Sequence, residues 1–124
     1  MAGVIDWIGS TWAERDAKAA ARLSQARREE SRNRRLVKVR RVDRVAHNGT
    51  MAWIQFDGSG DVMDAWFWNT RISRGQIAVV DGSVGRGTRS RDVYYISTVA
   101  YVLPRNTYRL ARRHERRVRR QVGG

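Results

Sequence analysis

Residues 51–68, MAWIQFDGSGDVMDAWFW, restrict the possible folds more than any other stretch of the chain. Two runs that alternate apolar and polar residues flank the turn segment DGSGD, a pattern that predicts a β-hairpin. Because a shift of one residue exchanges the two faces of a strand, the loop length decides which side chains share a face. A five-residue loop would pair Phe56 with Val62, whereas the four-residue loop DGSG sorts polar from apolar residues better. The preferred loop places these residues on the inner face: Ala52, Ile54, Phe56, Met63, Ala65 and Phe67.

Three of the five tryptophans then share the other face of the hairpin. Trp53, Trp66 and Trp68 are the candidate site residues of the strands. Such rings stack nucleic-acid bases or anchor protein interfaces, unless the helix of residues 10–35 covers them as core. Asp64 lies on the same face and is unfavourable beside phosphates, so the sequence favours a protein interface over stacked bases.

The segment 36–103 predicts five strands with closely spaced turns. LVKVRRVDRV changes the phase of its alternation, which indicates a bulge or a sharp bend. After the turn HNGT and the hairpin come a strand GQIAVVD, a mobile loop GSVGRGTRSR and a last strand DVYYISTVAYVL. Five short strands favour a small closed barrel. We therefore expect a mainly β, OB-like barrel over 36–103, a helical arm over 1–35 and a basic helix or arm over 104–124.

The N-terminal arm predicts a helix that needs a neighbour. Ser10 and Thr11, with Glu14 three residues after Thr11, form a capping box at its start. Its apolar stripe, made of Trp12, Ala19, Leu23 and Ala26, is narrow and rich in alanine, so it buries too little to stand alone. It lies on the domain or on another protein, or it self-associates as a short coiled coil whose seam would contain Asp16 and Glu30. The residues expected to make its contacts are Trp7, Trp12 and Leu23.

Positive charge is concentrated at the C-terminal end. The chain of 124 residues has 25 basic and 12 acidic residues, a net charge of +13, and residues 104–124 contribute +7 of it. Pro104 ends the last strand, and the following arginine-rich helix repels itself, so we expect it to be ordered only against an acidic partner. The candidate basic residues are Arg86, Arg89 and Arg91 in the loop and Arg105, Arg109, Arg112, Arg113, Arg116, Arg117, Arg119 and Arg120 in the arm.

No catalytic or metal-binding pattern is found in the sequence. DGSGD resembles the start of a calcium loop, but the glycine and the bidentate glutamate that should follow are Val62 and Trp68. The chain has no cysteine, and neither His47 nor His114 belongs to a nucleophilic or acid–base pattern. No apolar run reaches the length of a membrane span. We expect a protein without enzymatic activity or cofactor, made in a cytoplasm.

The order of the β segments resembles that of the small OB-type barrels of bacteriophage tail and baseplate proteins. VKVRRVDRV, the hairpin, the glycine-led strand RGQIAVVDG and the closing strand RDVYYISTV carry the resemblance, with Gln76 where an acidic residue is usual. It covers residues 36–103. It implies a non-enzymatic virion protein that assembles with copies of itself in a ring or trimer, and whose arms grip neighbouring virion proteins.

Two functions follow. The first is a structural assembly protein of the virion, in the tail, tail tip, baseplate or head-to-tail region, held by its terminal arms. The alternative is an OB-type protein that binds single-stranded or non-specific nucleic acid through its arginines and the tryptophan cluster. The barrel segment has a net charge of only +3, which favours the first.

Overall fold

The computed structural model describes residues 3–123, and the side chains of residues 11–122. The chain forms two compact units, one over residues 29–105 and one that joins the residues up to Arg28 with those from Asn106 onward. The elements of the first unit are β1 (Arg34–Ala46), β2 (Gly49–Phe56), β3 (Val62–Trp68), β4 (Ile77–Arg86) and β5 (Asp92–Leu103). The second unit consists of α1 (Gly3–Arg28) and α2 (Thr107–Gly123).

The five strands form a closed barrel in the order β1-β2-β3-β5-β4. All neighbouring strands are antiparallel except β3 and β5, which are parallel. Closure leaves no open sheet edge in the barrel. The prediction of a mainly β, OB-like five-stranded barrel with a helix at each end is confirmed.

The hairpin has the predicted register. Ile54 lies opposite Met63 and Ala52 opposite Ala65, and the Phe56 amide donates to the Asp61 carbonyl at 2.8 Å. The phase change in β1 also corresponds to real irregularities, because the β1–β2 register shifts between Val39 and Arg41 and again between Val42 and Arg44.

The barrel interior is filled by side chains from all five strands. Phe67 and Ile54 are its largest fully buried members, and Phe56 meets the Tyr94 ring edge to face at 5.2 Å between centroids. The predicted inner face of the hairpin lies in this core, with Met63 partly buried at its margin. The other buried members of the core are Val37, Val39, Ile72, Ala78, Val80 and Ile96.

Two boundaries differ from the sequence predictions. The segment expected as a mobile loop, GSVGRGTRSR, is strand over its first half, because β4 continues to Arg86. Glycine permits this continuation: a Cβ at Gly82 would lie 2.6 Å from the Tyr95 carbonyl oxygen and 2.9 Å from the Tyr94 ring. The N-terminal helix begins at Gly3, so the capping box at Ser10 and Thr11 lies inside α1 and does not start it. The predicted contact of the Trp7 side chain lies outside the described residues.

In the helical unit, α1 and α2 pack against each other. The predicted stripe of α1 is buried at Ala19, Leu23 and Ala26, but Trp12 is 54% exposed. Asp16, about one helical turn after Trp12, is buried and only 1% exposed. Buried residues of α2 are Thr107, Leu110 and Ala111. The C-terminal arm is thus a helix that has its acidic partner within the chain.

Candidate nucleic-acid interface

A groove of about 660 Å³ lies on the outer surface of the barrel, within the usual range of ligand sites of about 300–1,000 Å³. Its walls come from the end of β1, the β1–β2 turn, the outer faces of β2 and β3, the β4–β5 loop and the start of β5. The described residues that line it are Arg41, Asp43, Arg44, Asn48, Met51, Asp64, Trp66, Trp68, Gly87, Thr88, Arg89, Arg91, Val93 and Tyr95.

Strand pairing explains why these side chains meet. Arg44 pairs with Met51, Met51 with Trp66, and Trp66 with Tyr95. Because residues opposite each other share a face of a sheet, the four side chains form one row across four strands. The bulges in β1 set this row, since each added residue reorients the side chains that follow it.

Two glycines make room for the aromatic part of the row. A Cβ at Gly49 would lie 2.6 Å from the Trp66 indole, so this ring lies directly on the backbone of β2. A Cβ at Gly85 would lie 2.9 Å from the Tyr95 ring, and the Tyr95 hydroxyl donates to the Arg86 carbonyl at 2.9 Å. The Trp66 ring therefore packs directly against the main chain of β2, and the Tyr95 ring against the main chain of β4.

The two tryptophans of the groove have different environments. Trp66 is 7% exposed, and its buried indole N–H has no hydrogen-bond partner among the described residues. Trp68 is 45% exposed and meets Trp66 edge to face, with ring centroids 5.4 Å apart. Trp66 thus supports Trp68, and nearly half of the Trp68 side chain is accessible to a ligand.

Charges in the groove are partly compensated. Arg41 pairs with Asp43 at 2.7 Å and Arg91 with Asp64 at 3.8 Å. The groove therefore holds no uncompensated carboxylate among the described residues. Its other two arginines, Arg44 and Arg89, are exposed and have no carboxylate partner in the described part of the chain. The groove has a net positive charge beside an exposed indole.

The predicted strand residues do not all meet in the groove. Trp66 and Trp68 line it, whereas Trp53 is not in its wall and lies under the Arg41 guanidinium, 5.6 Å from the ring centroid. Of the loop arginines, Arg89 and Arg91 line the groove. Arg86 is the last residue of β4 and does not line it.

The arginines of the predicted basic arm lie in three different environments. Arg113 and Arg117 turn toward Asp16, with nitrogen–oxygen distances of 3.4 and 3.1 Å, and the Arg113 guanidinium lies 5.6 Å from the Trp12 ring centroid. Arg105 precedes α2, beside Gly75. The remaining arginines of the arm are exposed: Arg109, Arg112, Arg116, Arg119 and Arg120.

The described residues contain no cluster of three or more side chains that could hold a metal ion. Neither described helix is long and apolar enough to cross a membrane.

Sequence reasoning missed much of the groove wall, including Arg41, Arg44 and Tyr95. The register of the hairpin does place Met51 on the same face as the tryptophans. However, the parallel pairing of β3 with β5 has no signal in the alternation, and it alone brings Tyr95 beside Trp66.

No protein-family model matches this chain, and no curated protein or solved structure is similar enough to count as a match.

Proposed function

We propose that this protein binds single-stranded nucleic acid in the groove formed by β2, β3 and the loops beside them. The observation that carries the proposal is the exposed Trp68 ring, which is supported by Trp66 and lines the same groove as two arginines without carboxylate partners among the described residues. In OB-type barrels the β2–β3 face and the β1–β2 and β4–β5 loops are the surfaces that bind oligonucleotides. The groove is built from the same elements.

The chemistry of the groove suits a short, sequence-tolerant contact. A base that stacks on Trp68 contributes about 1–3 kcal/mol, while Arg44 and Arg89 are suited to the phosphates on either side. Asp64 does not oppose such a ligand strongly, because Arg91 lies 3.8 Å from its carboxylate. Two phosphate contacts to a single strand give a shallow salt dependence, with a slope of about −1.4 in log–log form.

A fluorescence titration with a short single-stranded oligonucleotide tests the proposal. Stacking on Trp68 quenches the emission, and quenching persists at high salt because the stacked contact is not ionic. Trp68→Ala removes this quenching. Trp53→Ala is the matched control, since Trp53 lies outside the groove wall, and it keeps the quenching. Equal quenching of the wild type and Trp68→Ala would refute the proposal.

Structural assembly of a bacteriophage virion is the second candidate function. It is favoured by exposed apolar side chains on the helical unit, where Trp12, Val118 and Val122 are 54%, 41% and 83% exposed. Such residues suit contacts with copies of the chain in a ring or trimer, or with other virion proteins. Light scattering over a range of concentrations tests it. A defined oligomer that Trp12→Ser dissociates supports assembly through this unit, and a monomer at all concentrations contradicts self-assembly.

A further inference from the structure

The exposed arginines of α2 form one surface. Arg109, Arg112, Arg116, Arg119 and Arg120 follow one another at steps of three, four, three and one residues. At 3.6 residues per turn they fall within an arc of about 100°, and all five are exposed. We refer to this set as the arginine stripe.

The stripe is turned away from the packed side of the helix. On the same helical geometry its arc lies opposite Thr107, Leu110 and Ala111, which are buried. Of the two arginines that pair with Asp16, Arg113 lies about 20° beyond the arc and Arg117 about 60° beyond it, on the side toward the packed face. The packing of α2 against α1 therefore does not involve the arginine stripe.

No neighbouring carboxylate neutralises the stripe. None of its five arginines makes an ion pair with a carboxylate among the residues whose side chains are described. Glu115 is the only acidic residue after Pro104; it lies about 40° outside the arc and makes no ion pair with Arg112 or Arg119, three and four residues away. Since like charges three and four residues apart destabilise a helix, a polyanion that binds here removes an unfavourable interaction as well as making new ones.

The shape of the stripe distinguishes among polyanions. It extends over about 16 Å of helix axis, and a DNA duplex presents about ten phosphates over that length, twice as many as one of its strands. Single strands are held by stacking on exposed aromatic rings, and the one ring near the arc, Tyr108, lies about 20° outside it and is half-buried. Arginine instead matches phosphate oxygens through its two-pronged guanidinium.

We infer that the arginine stripe of α2 is a second binding surface, which holds the phosphate backbone of duplex DNA without reading its sequence. This surface is separate from the groove of the barrel, which takes bases. The inference does not depend on the groove, because the residues that carry it belong to the helical unit alone.

The salt dependence of duplex binding by the full chain tests the inference. Each arginine–phosphate contact contributes about −0.9 to the log–log slope on duplex DNA. Five contacts weaken binding about 500-fold between about 50 and 200 mM salt, whereas the triple variant Arg112→Ala, Arg116→Ala, Arg119→Ala retains two contacts and weakens about 12-fold. The exposed alanines favour the helix, so circular dichroism of the variant stays helical.

Two kinds of control complete the test. The first distinguishes the effect of positive charge from that of the arginine side chain, and the second distinguishes binding at the stripe from binding in the groove. The triple lysine variant at the same three positions keeps the charge and keeps most of the slope. Trp68→Ala leaves duplex binding unchanged, and the triple alanine variant keeps the quenching by a single strand at high salt. The quenching by a single strand therefore tests the proposal for the groove, and the salt dependence of duplex binding tests the inference for the stripe.

Two results would overturn the inference. One is a duplex slope that is equal in the wild type and the triple alanine variant. The other is a chain that fails to bind duplex DNA at low salt but binds polyglutamate through the same three arginines, which would assign the stripe to an acidic protein.

Discussion

Replacement of Asp16 by asparagine should loosen the helical unit. The carboxylate is 1% exposed and lies 3.4 Å from the Arg113 Nε and 3.1 Å from the Arg117 Nη1. These contacts are ionic rather than well-aligned hydrogen bonds, since neither the Asp16 Oδ2 nor the Arg117 Nη1 has a hydrogen-bond partner among the described residues. Asparagine keeps the shape of the side chain and removes the charge that offsets both guanidinium groups.

The magnitude follows from the burial of the three groups. Loss of one member of a fully buried ion pair costs about 3–5 kcal/mol. Here the side chains of Arg113 and Arg117 are 33% and 38% exposed, so water takes over part of their solvation and the lower end applies, about 3 kcal/mol. Since about 1.4 kcal/mol corresponds to a factor of ten, the equilibrium constant for opening of the helical unit rises about 100-fold.

Native-state hydrogen exchange measures this opening residue by residue. Amides of α2 should lose about 100-fold in protection in Asp16→Asn, while the strand amides of the barrel serve as an internal reference. Glu14→Gln is the matched control, because it makes the same change of charge at an exposed position of the same helix, where substitutions stay within about 0.5 kcal/mol. Unchanged protection of α2 in Asp16→Asn would refute the view that this carboxylate holds α1 and α2 together.

Two further perturbations test the barrel. Gly49→Ala brings a Cβ against the Phe67 carbonyl oxygen and to 2.6 Å from the Trp66 ring. Overpacking of this kind costs about 1–3 kcal/mol, so the midpoint of urea unfolding should fall. An unchanged midpoint would show that β2 and Trp66 separate freely. Burial and the hydrogen bond to Glu29 at 2.6 Å raise the pKa of Tyr101 from 10.0 to about 12. The folded state therefore holds this proton more tightly than the unfolded chain, and the resulting stability is present below pH 10 and is lost as the pH rises toward 12. Burial raises the pKa of Tyr94 as well, so ultraviolet titration of tyrosinate should show more than one late tyrosine. Only the Tyr101 part of the titration should move to lower pH in Glu29→Gln, and a titration identical to the wild type would contradict the assignment.

The hairpin illustrates what the sequence can predict. Its register follows from sorting polar and apolar residues, because any slip would turn Ile54 and Phe67 out of the core. The same local signal predicted the irregularity of β1. By contrast, GSVGR has a composition typical of loops, and it is strand because the rings of Tyr94 and Tyr95 require the space that Gly82 and Gly85 leave. Tertiary contact overrides local preference there.

The candidate sites depend on contacts between distant parts of the chain, which alternation does not contain. Tyr95 reaches Trp66 only through the parallel pairing of β3 with β5. Asp16 is a disruptive residue in the seam of a coiled coil, whereas beside Arg113 and Arg117 it is the residue that makes an arginine-rich helix compatible with packing. The same carboxylate would therefore destabilise the packing of α1 against a copy of itself, but it stabilises the packing of α1 against α2. Alternation along the chain does not say which of the two helices is the partner.

The pattern of ion pairs shows where the net charge of +13 acts. Within the barrel unit, carboxylates offset several of the arginines, and salt bridges of this kind at the surface leave little attraction for a distant anion. The pairs are Arg34 with Asp81, Arg35 with Glu30, Arg41 with Asp43 and Arg91 with Asp64. On α2 the described carboxylates offset only the two inward arginines. Long-range attraction of a polyanion should therefore come mainly from the arginine stripe, and the contribution of the groove should come at short range from the Trp68 ring.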